Sequence, residues 1–95
     1  MSVRSGQSIT TEFTTRAFAT GAATDATGTP TGTLYVNGTA NGAAVTVTNQ
    51  ATGIYKAAVT LPTLAVGDVV SLVINATVSG VTDNAKIWED SKDVF

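Results

Sequence analysis

Any chemistry in this chain has to be drawn from five lysines and arginines and seven aspartates and glutamates, because histidine and cysteine are both missing. Without histidine the commonest general base and metal ligand is gone, and with it the Ser–His and Cys–His nucleophile schemes. Without cysteine there is no disulfide, thiolate metal site or thiol nucleophile. A Ser–Lys pair would have to use Lys56, Lys86 or Lys92, yet no motif frames any of them. Solvated lysines on strand faces are the simpler reading. The carboxylates of Asp83, Glu89, Asp90 and Asp93 gather near the C-terminus. Hard oxygens of this kind hold calcium, but the spacing fits no calcium loop, and Lys86 and Lys92 partly neutralise the group. A solvated, edge-blocking segment is the expected use. Asp25 and Asp68 stand beside Thr or Gly and read as turn formers. No cofactor, metal or catalytic residue is expected, and the chain is read as a non-enzyme.

Trp88 is the single tryptophan, with Tyr35 and Tyr55 the two tyrosines. Sugar-binding modules present exposed aromatics as platforms, usually several together, and Tyr55 falls on the apolar side of its stretch. Packing in the core or at a subunit interface is therefore expected of Trp88. The triplets Asn37-Gly38-Thr39 and Asn75-Ala76-Thr77 fit the glycan-acceptor pattern, as a threonine-rich chain does by chance.

Composition narrows what positions these groups. Ninety-five residues make one domain, and only 13% of them are charged, against about 25% typically. Thr, Ser, Asn and Gly supply the polarity. Threonine, being β-branched, suits a half-buried pleated surface. A net charge of −2 and a pI near 4.6 give no basic footprint for nucleic acid or an anionic membrane. The first thirteen residues, MSVRSGQSITTEF, carry an Arg but no apolar run behind it, so they do not read as a secretion signal.

The most apolar stretch, GDVVSLVINATVSGV over residues 67–81, is shorter than the roughly 20 residues a membrane helix needs. Val70, Leu72, Ile74, Ala76 and Val78 recur at every second position, which is a strand with one buried face. Val69 and Val73 interrupt the polar side and predict partial cover there. The same period places Ile9, Thr11 and Phe13 on one face, Leu34 with Val36, Val45 with Val47, and Tyr55 with Ala57, Val59 and Leu61. A last run, VTDNAKIWED, puts Ala85 and Ile87 on one side and Lys86 and Trp88 on the other; a short helix over NAKIWEDSK is the alternative. Turn residues lie between these runs: Asn37-Gly38, Asn41-Gly42, Gly53 and Ser79-Gly80, with Pro62 ending a strand. Arg16 to Gly32 has no period and predicts a long surface connection pinned by Phe18. The result is an all-β chain, a single antiparallel sandwich of six to seven strands. It divides into a polar arm at 1–8 with Arg4 its lone charge, a domain at 9–90, and a tail at 91–95. The arm is expected either to fray or to order against a neighbouring chain.

NQATGIYKAAVTLPTLAVGDVVSLVINATVSGV resembles small immunoglobulin-like β-sandwich domains of tailed-bacteriophage virion proteins, also seen in bacterial surface proteins. The matching pieces are Gly53-Ile54-Tyr55, Leu61-Pro62, Gly67-Asp68 and Ala76 to Val81, preceded by the proline-led TGTPTGTLYVNGT. The likeness covers roughly residues 9 to 90 and is a folding motif without catalytic residues. It implies an immunoglobulin-like fold and a structural role in a virion, as capsid decoration or tail-associated accessory subunit. A short chain opening at Met1 without an export signal adds the expectation of a protein made in the host cytoplasm and assembled without secretion. The partners would be virion structural proteins or further copies of the chain, not nucleic acid or membrane. Arg4, Phe18, Trp88, Glu89, Asp90 and Asp93 are the interface candidates. The competing reading is a carbohydrate-binding or adhesive module, extracellular or on a cell surface, the one case in which a glycan partner is implied.

Overall fold

The computed structural model describes residues 2–94. Among them there is no helix, and eight strands form two sheets. These are β1 (Ser2–Val3), β2 (Ser8–Thr14), β3 (Thr31–Val36), β4 (Thr39–Asn41), β5 (Val45–Ala51), β6 (Ile54–Thr60), β7 (Val69–Val78) and β8 (Val81–Lys92). One sheet has five strands in the order β1-β8-β7-β3-β4, the other three in the order β2-β6-β5. Every pairing is antiparallel except the short parallel contact of β1 with β8. The all-β reading holds, with eight strands rather than six or seven because β1 and β4 are too short to show a period.

The two sheets share one core. From the five-stranded sheet come Val3, Leu34, Val70, Leu72 and Ile74, and from the three-stranded sheet Ala57 and Val59, with Leu61 and Leu64 closing one end. The period-two faces of β2, β6 and β7 are the faces that the packing uses. One detail departs from expectation: Val69 is 41% exposed, and only Val73 of that pair is half-buried. Gly32 sits where the sheets approach closely, since a Cβ there would lie 2.5 Å from a Val45 methyl. The immediate neighbourhood admits hydrogen and nothing larger.

Two hairpins turn as their dipeptides predict. Asn37 and Gly38 have φ of 50° and 80°, and Ser79 and Gly80 have 50° and 82°, the paired positive values that match the twist of adjoining strands. Asn41-Gly42 works differently. Gly42 is not in the left-handed region; instead the Asn41 side-chain oxygen accepts from the Ala43 N–H at 2.9 Å, a turn made by the asparagine.

The terminal segments are the main corrections. The polar N-terminal arm neither frays nor waits for a neighbouring chain: Ser2 and Val3 pair with Ser91 and Lys92 of the same chain. Val3 is 2% exposed, so its side chain docks the arm against the core. Ser5 completes the link: its hydroxyl accepts from the Leu64 N–H at 2.8 Å. The tail expected at 91–95 begins as strand, because β8 continues to Lys92, and Ser8 belongs to β2. Met1 and Phe95, the outer residues of the expected arm and tail, lie outside the described residues. The helix considered over NAKIWEDSK is strand throughout 84–92.

Asp68 shows how the turns are tied down. Its carboxylate accepts from the Ala65 N–H and from the Asn37 amide, each at 2.9 Å. First the Ala65 N–H and then Asn37 hold its pKa below the ordinary aspartate value, because both bonds favour the charged form. A depressed folded-state pKa contributes stability that is present above the unfolded value of about 3.9 and lost as pH falls through the folded one. Asp68→Asn should therefore flatten the acid side of the stability profile as pH falls below the ordinary aspartate value of about 3.9, read by urea unfolding at stepped pH. An unchanged acid limb would show that other carboxylates carry it.

Candidate functional site

The long connection between β2 and β3 is folded onto the rest of the molecule by polar bonds, most of them part-buried. Thr15, 7% exposed, donates its hydroxyl to the Thr24 carbonyl, and the Thr24 N–H returns to the Thr15 carbonyl at 3.1 Å. Asp25 is more than a turn former. Its carboxylate accepts from the Gly53 N–H at 2.7 Å and the Asn49 amide at 3.2 Å, fastening the connection to the β5–β6 hairpin. Tyr55 is buried, and its hydroxyl accepts from the Ala26 N–H at 2.9 Å. Phe18 does none of this pinning. It is 91% exposed, on a small turn closed by the Arg16–Ala23 bridge and by Gly21 N–H to the Ala17 carbonyl at 2.8 Å.

That turn faces the far end of the β7–β8 hairpin. The hairpin strands have ten and twelve residues, spanning about 33 and 40 Å at the usual rise, and they run along the 45 Å long axis of a molecule only 22 × 21 Å across. The opposing β2 and β6 have seven residues each. Cover fails toward the hairpin tip as a result. Val70, Leu72 and Ile74 are buried, Ala76 and Val78 half-buried, and Ala85 exposed; Val81 is 54% exposed. What remains is a groove of about 320 Å³ whose walls include Phe13, Phe18, Val78, Val81 and Ile87. Phe13 is stacked on Tyr55 with ring centroids 5.3 Å apart, so this side of the groove is stiff. Arg16 and Asp83 are the two charged residues lining it.

The six interface candidates are dispersed. Phe18 lines the groove. Arg4 and Asp93 come together at the opposite end of β8, lining a shallow cleft with Ser2 and Val94. Glu89 is bound to Lys86 at 2.9 Å, both side chains about half exposed, a pair worth about 0–1 kcal/mol. Asp90 stands opposite Val70 and is half-buried. Trp88 was expected on the face opposite Ile87, and here the sequence pattern misleads. The register slips so that Leu72 faces Trp88 while Val73 faces Lys86, leaving Ile87 as the extra residue of a bulge. Ile87 and Trp88 both pack against the core as a consequence, and a bulge cannot be seen in alternation alone.

Of the carboxylates gathered near the C-terminus in sequence, Asp83, Glu89 and Asp90 are strung along β8 and Asp93 follows it, and among the described residues no group of three or more His, Cys, Asp or Glu lies close enough to hold an ion. Lys56 is exposed on β6 opposite Glu12 and Thr48. Among the described residues no helix is long and apolar enough to cross a membrane. Arg16, Phe13, Val81 and the position of Asp83 in the groove were not singled out from sequence. A signal did exist: the alternation of β7 runs on to Val78, past the length that any other strand offers as cover. Compared with family models, curated proteins and solved structures, the chain matches none.

Proposed function

We propose that this chain is a non-enzymatic structural subunit of a tailed-bacteriophage particle, a capsid decoration or tail-associated protein with an immunoglobulin-like sandwich fold. Support for the fold comes from strand order. The β2-β6-β5 and β8-β7-β3 sheets correspond to the B-E-D and G-F-C sheets of the immunoglobulin arrangement, with β4 in the place of C′. The phage origin rests on the resemblance of residues 9 to 90, and the working mode on the surface. The observation that carries a contact role is the uncovered apolar groove beside a phenylalanine that is 91% exposed, since contiguous exposed apolar surface marks interaction sites. Bound only to the assembled particle, such a subunit stabilises assembly by mass action. It would be made in the host cytoplasm and reside in the virion, with virion structural proteins as partners.

Mass spectrometry of purified particles tests this reading. The chain should be present in many copies per particle, and Phe18→Ser should lower its occupancy. Its absence from particles made by cells that express it would end the proposal.

A further inference from the structure

We infer that the groove between the β7–β8 tip and the Phe18 turn is a two-fold contact between copies of this chain, with Arg16 of each copy set against Asp83 of the other. The inference rests on the reading that the chain works through its surface, and it names the partner. A two-fold contact is isologous: residue i meets j while j meets i, so a patch must complement itself. This groove meets that condition in charge. Its walls are otherwise neutral, with one cation and one anion. The one ion pair among the described residues joins Lys86 to Glu89, so Arg16 and Asp83 are not paired within the chain. The Arg16 guanidinium is steadied by the Gly21 carbonyl at 3.2 Å, and the Asp83 carboxylate accepts from the Asn84 N–H at 2.8 Å. An axis passing between them creates two opposite-charge contacts and places no like charges together. A partner of uniform charge would instead leave one of the two desolvated and facing its own sign, which is unfavourable.

Shape points the same way. Phe18 projects 91% exposed at the rim of a concavity of about 320 Å³, a knob and a hole on one patch. Two copies related by the axis each place Phe18 in the other's groove and cover Val78 and Val81. Strand addition along β8 is a poorer use of this side, because the bulge at Ile87 and the Lys86–Glu89 pair interrupt that edge, two devices that block strand pairing.

Sedimentation equilibrium of the purified chain over roughly 1 to 100 μM should give the mass of a dimer. Phe18→Ser and Asp83→Arg should each weaken association about tenfold or more, with the thermal melt extrapolated to low concentration unchanged because both side chains are exposed. The double variant Arg16→Asp with Asp83→Arg should recover the dimer, which a merely disruptive substitution cannot do. A monomer throughout the range, a dimer indifferent to Phe18→Ser, or a failed double-variant recovery overturns the inference. A monomer that nevertheless binds purified particles through Phe18 also overturns it while leaving the virion reading standing.

Discussion

Replacing Gly53 by alanine is expected to lower stability by about 2–5 kcal/mol, in two parts of similar size. A residue with a Cβ pays about 1–2 kcal/mol to hold a left-handed conformation, and Gly53 has φ of +71°. Overpacking adds about 1–3 kcal/mol: the new Cβ would lie 2.7 Å from the Thr15 carbonyl oxygen and 2.9 Å from the Thr24 nitrogen. Both are backbone atoms, and neither can step aside. Thr15 N–H is bonded to the Gly53 carbonyl at 2.8 Å, Thr24 N–H to the Thr15 carbonyl at 3.1 Å, and Gly53 N–H to Asp25 at 2.7 Å. Relief of the clash therefore detaches the β2–β3 connection from the β5–β6 hairpin. Gly38→Ala supplies the control, since Gly38 has a similar φ of +80° with nothing within 4 Å of the added carbon. It should show the conformational part alone, about 1–2 kcal/mol. Urea midpoints for the two variants decide the matter. Equal losses would mean that crowding at Gly53 is relieved without cost.

The same connection marks the boundary of what sequence makes legible. Strand faces were readable because burial on one side of a pleated sheet imposes a period of two, and Val70, Leu72 and Ile74, or Tyr55, Ala57 and Val59, carry it plainly. Hairpins at Asn37-Gly38 and Ser79-Gly80 were readable because few residues tolerate positive φ. The connection itself has no period, since its order comes from single bonds between Thr15, Asp25, Tyr55 and Gly53, residues up to 38 positions apart along the chain. No local pattern encodes such contacts. The docking of β1 was hidden because one buried valine leaves no repeat. Trp88 was misplaced because a bulge shifts the alternation by one residue without changing composition. The long alternation of β7 hinted at the groove without showing it, because the groove arises from a mismatch in length between two layers, a property of the pair of sheets and of neither alone. Phe18 reads both as a pin for its own connection and as an interface residue; its 91% exposure removes the first use.

Leu72→Ala should be comparably damaging for a different reason, with a loss of about 2–5 kcal/mol from the deleted methyls and the cavity they leave. Leu72 is 0% exposed in the middle of β7, where it pairs with Leu34 on one side and Trp88 on the other. Both neighbours sit in paired strands, Leu34 in β3 and Trp88 beside the bulge of β8, so collapse around a smaller side chain would have to shift two strands. For a domain of this size, stability totals about 5–15 kcal/mol, and each lost kcal/mol lowers the melting temperature by roughly 4–8 °C. The variant should therefore melt far below the parent chain, and at the low end of that range it should not fold at all. Val69→Ala, three residues away on the opposite face and 41% exposed, should change stability by less than about 0.5 kcal/mol. The contrast isolates the assignment of faces along β7, since both substitutions remove apolar carbon from the same strand. Similar losses at the two positions would mean that something covers the outer face of the five-stranded sheet. A small loss at Leu72 would mean that the two sheets do not close on each other there, and the two-layered core would have to be abandoned.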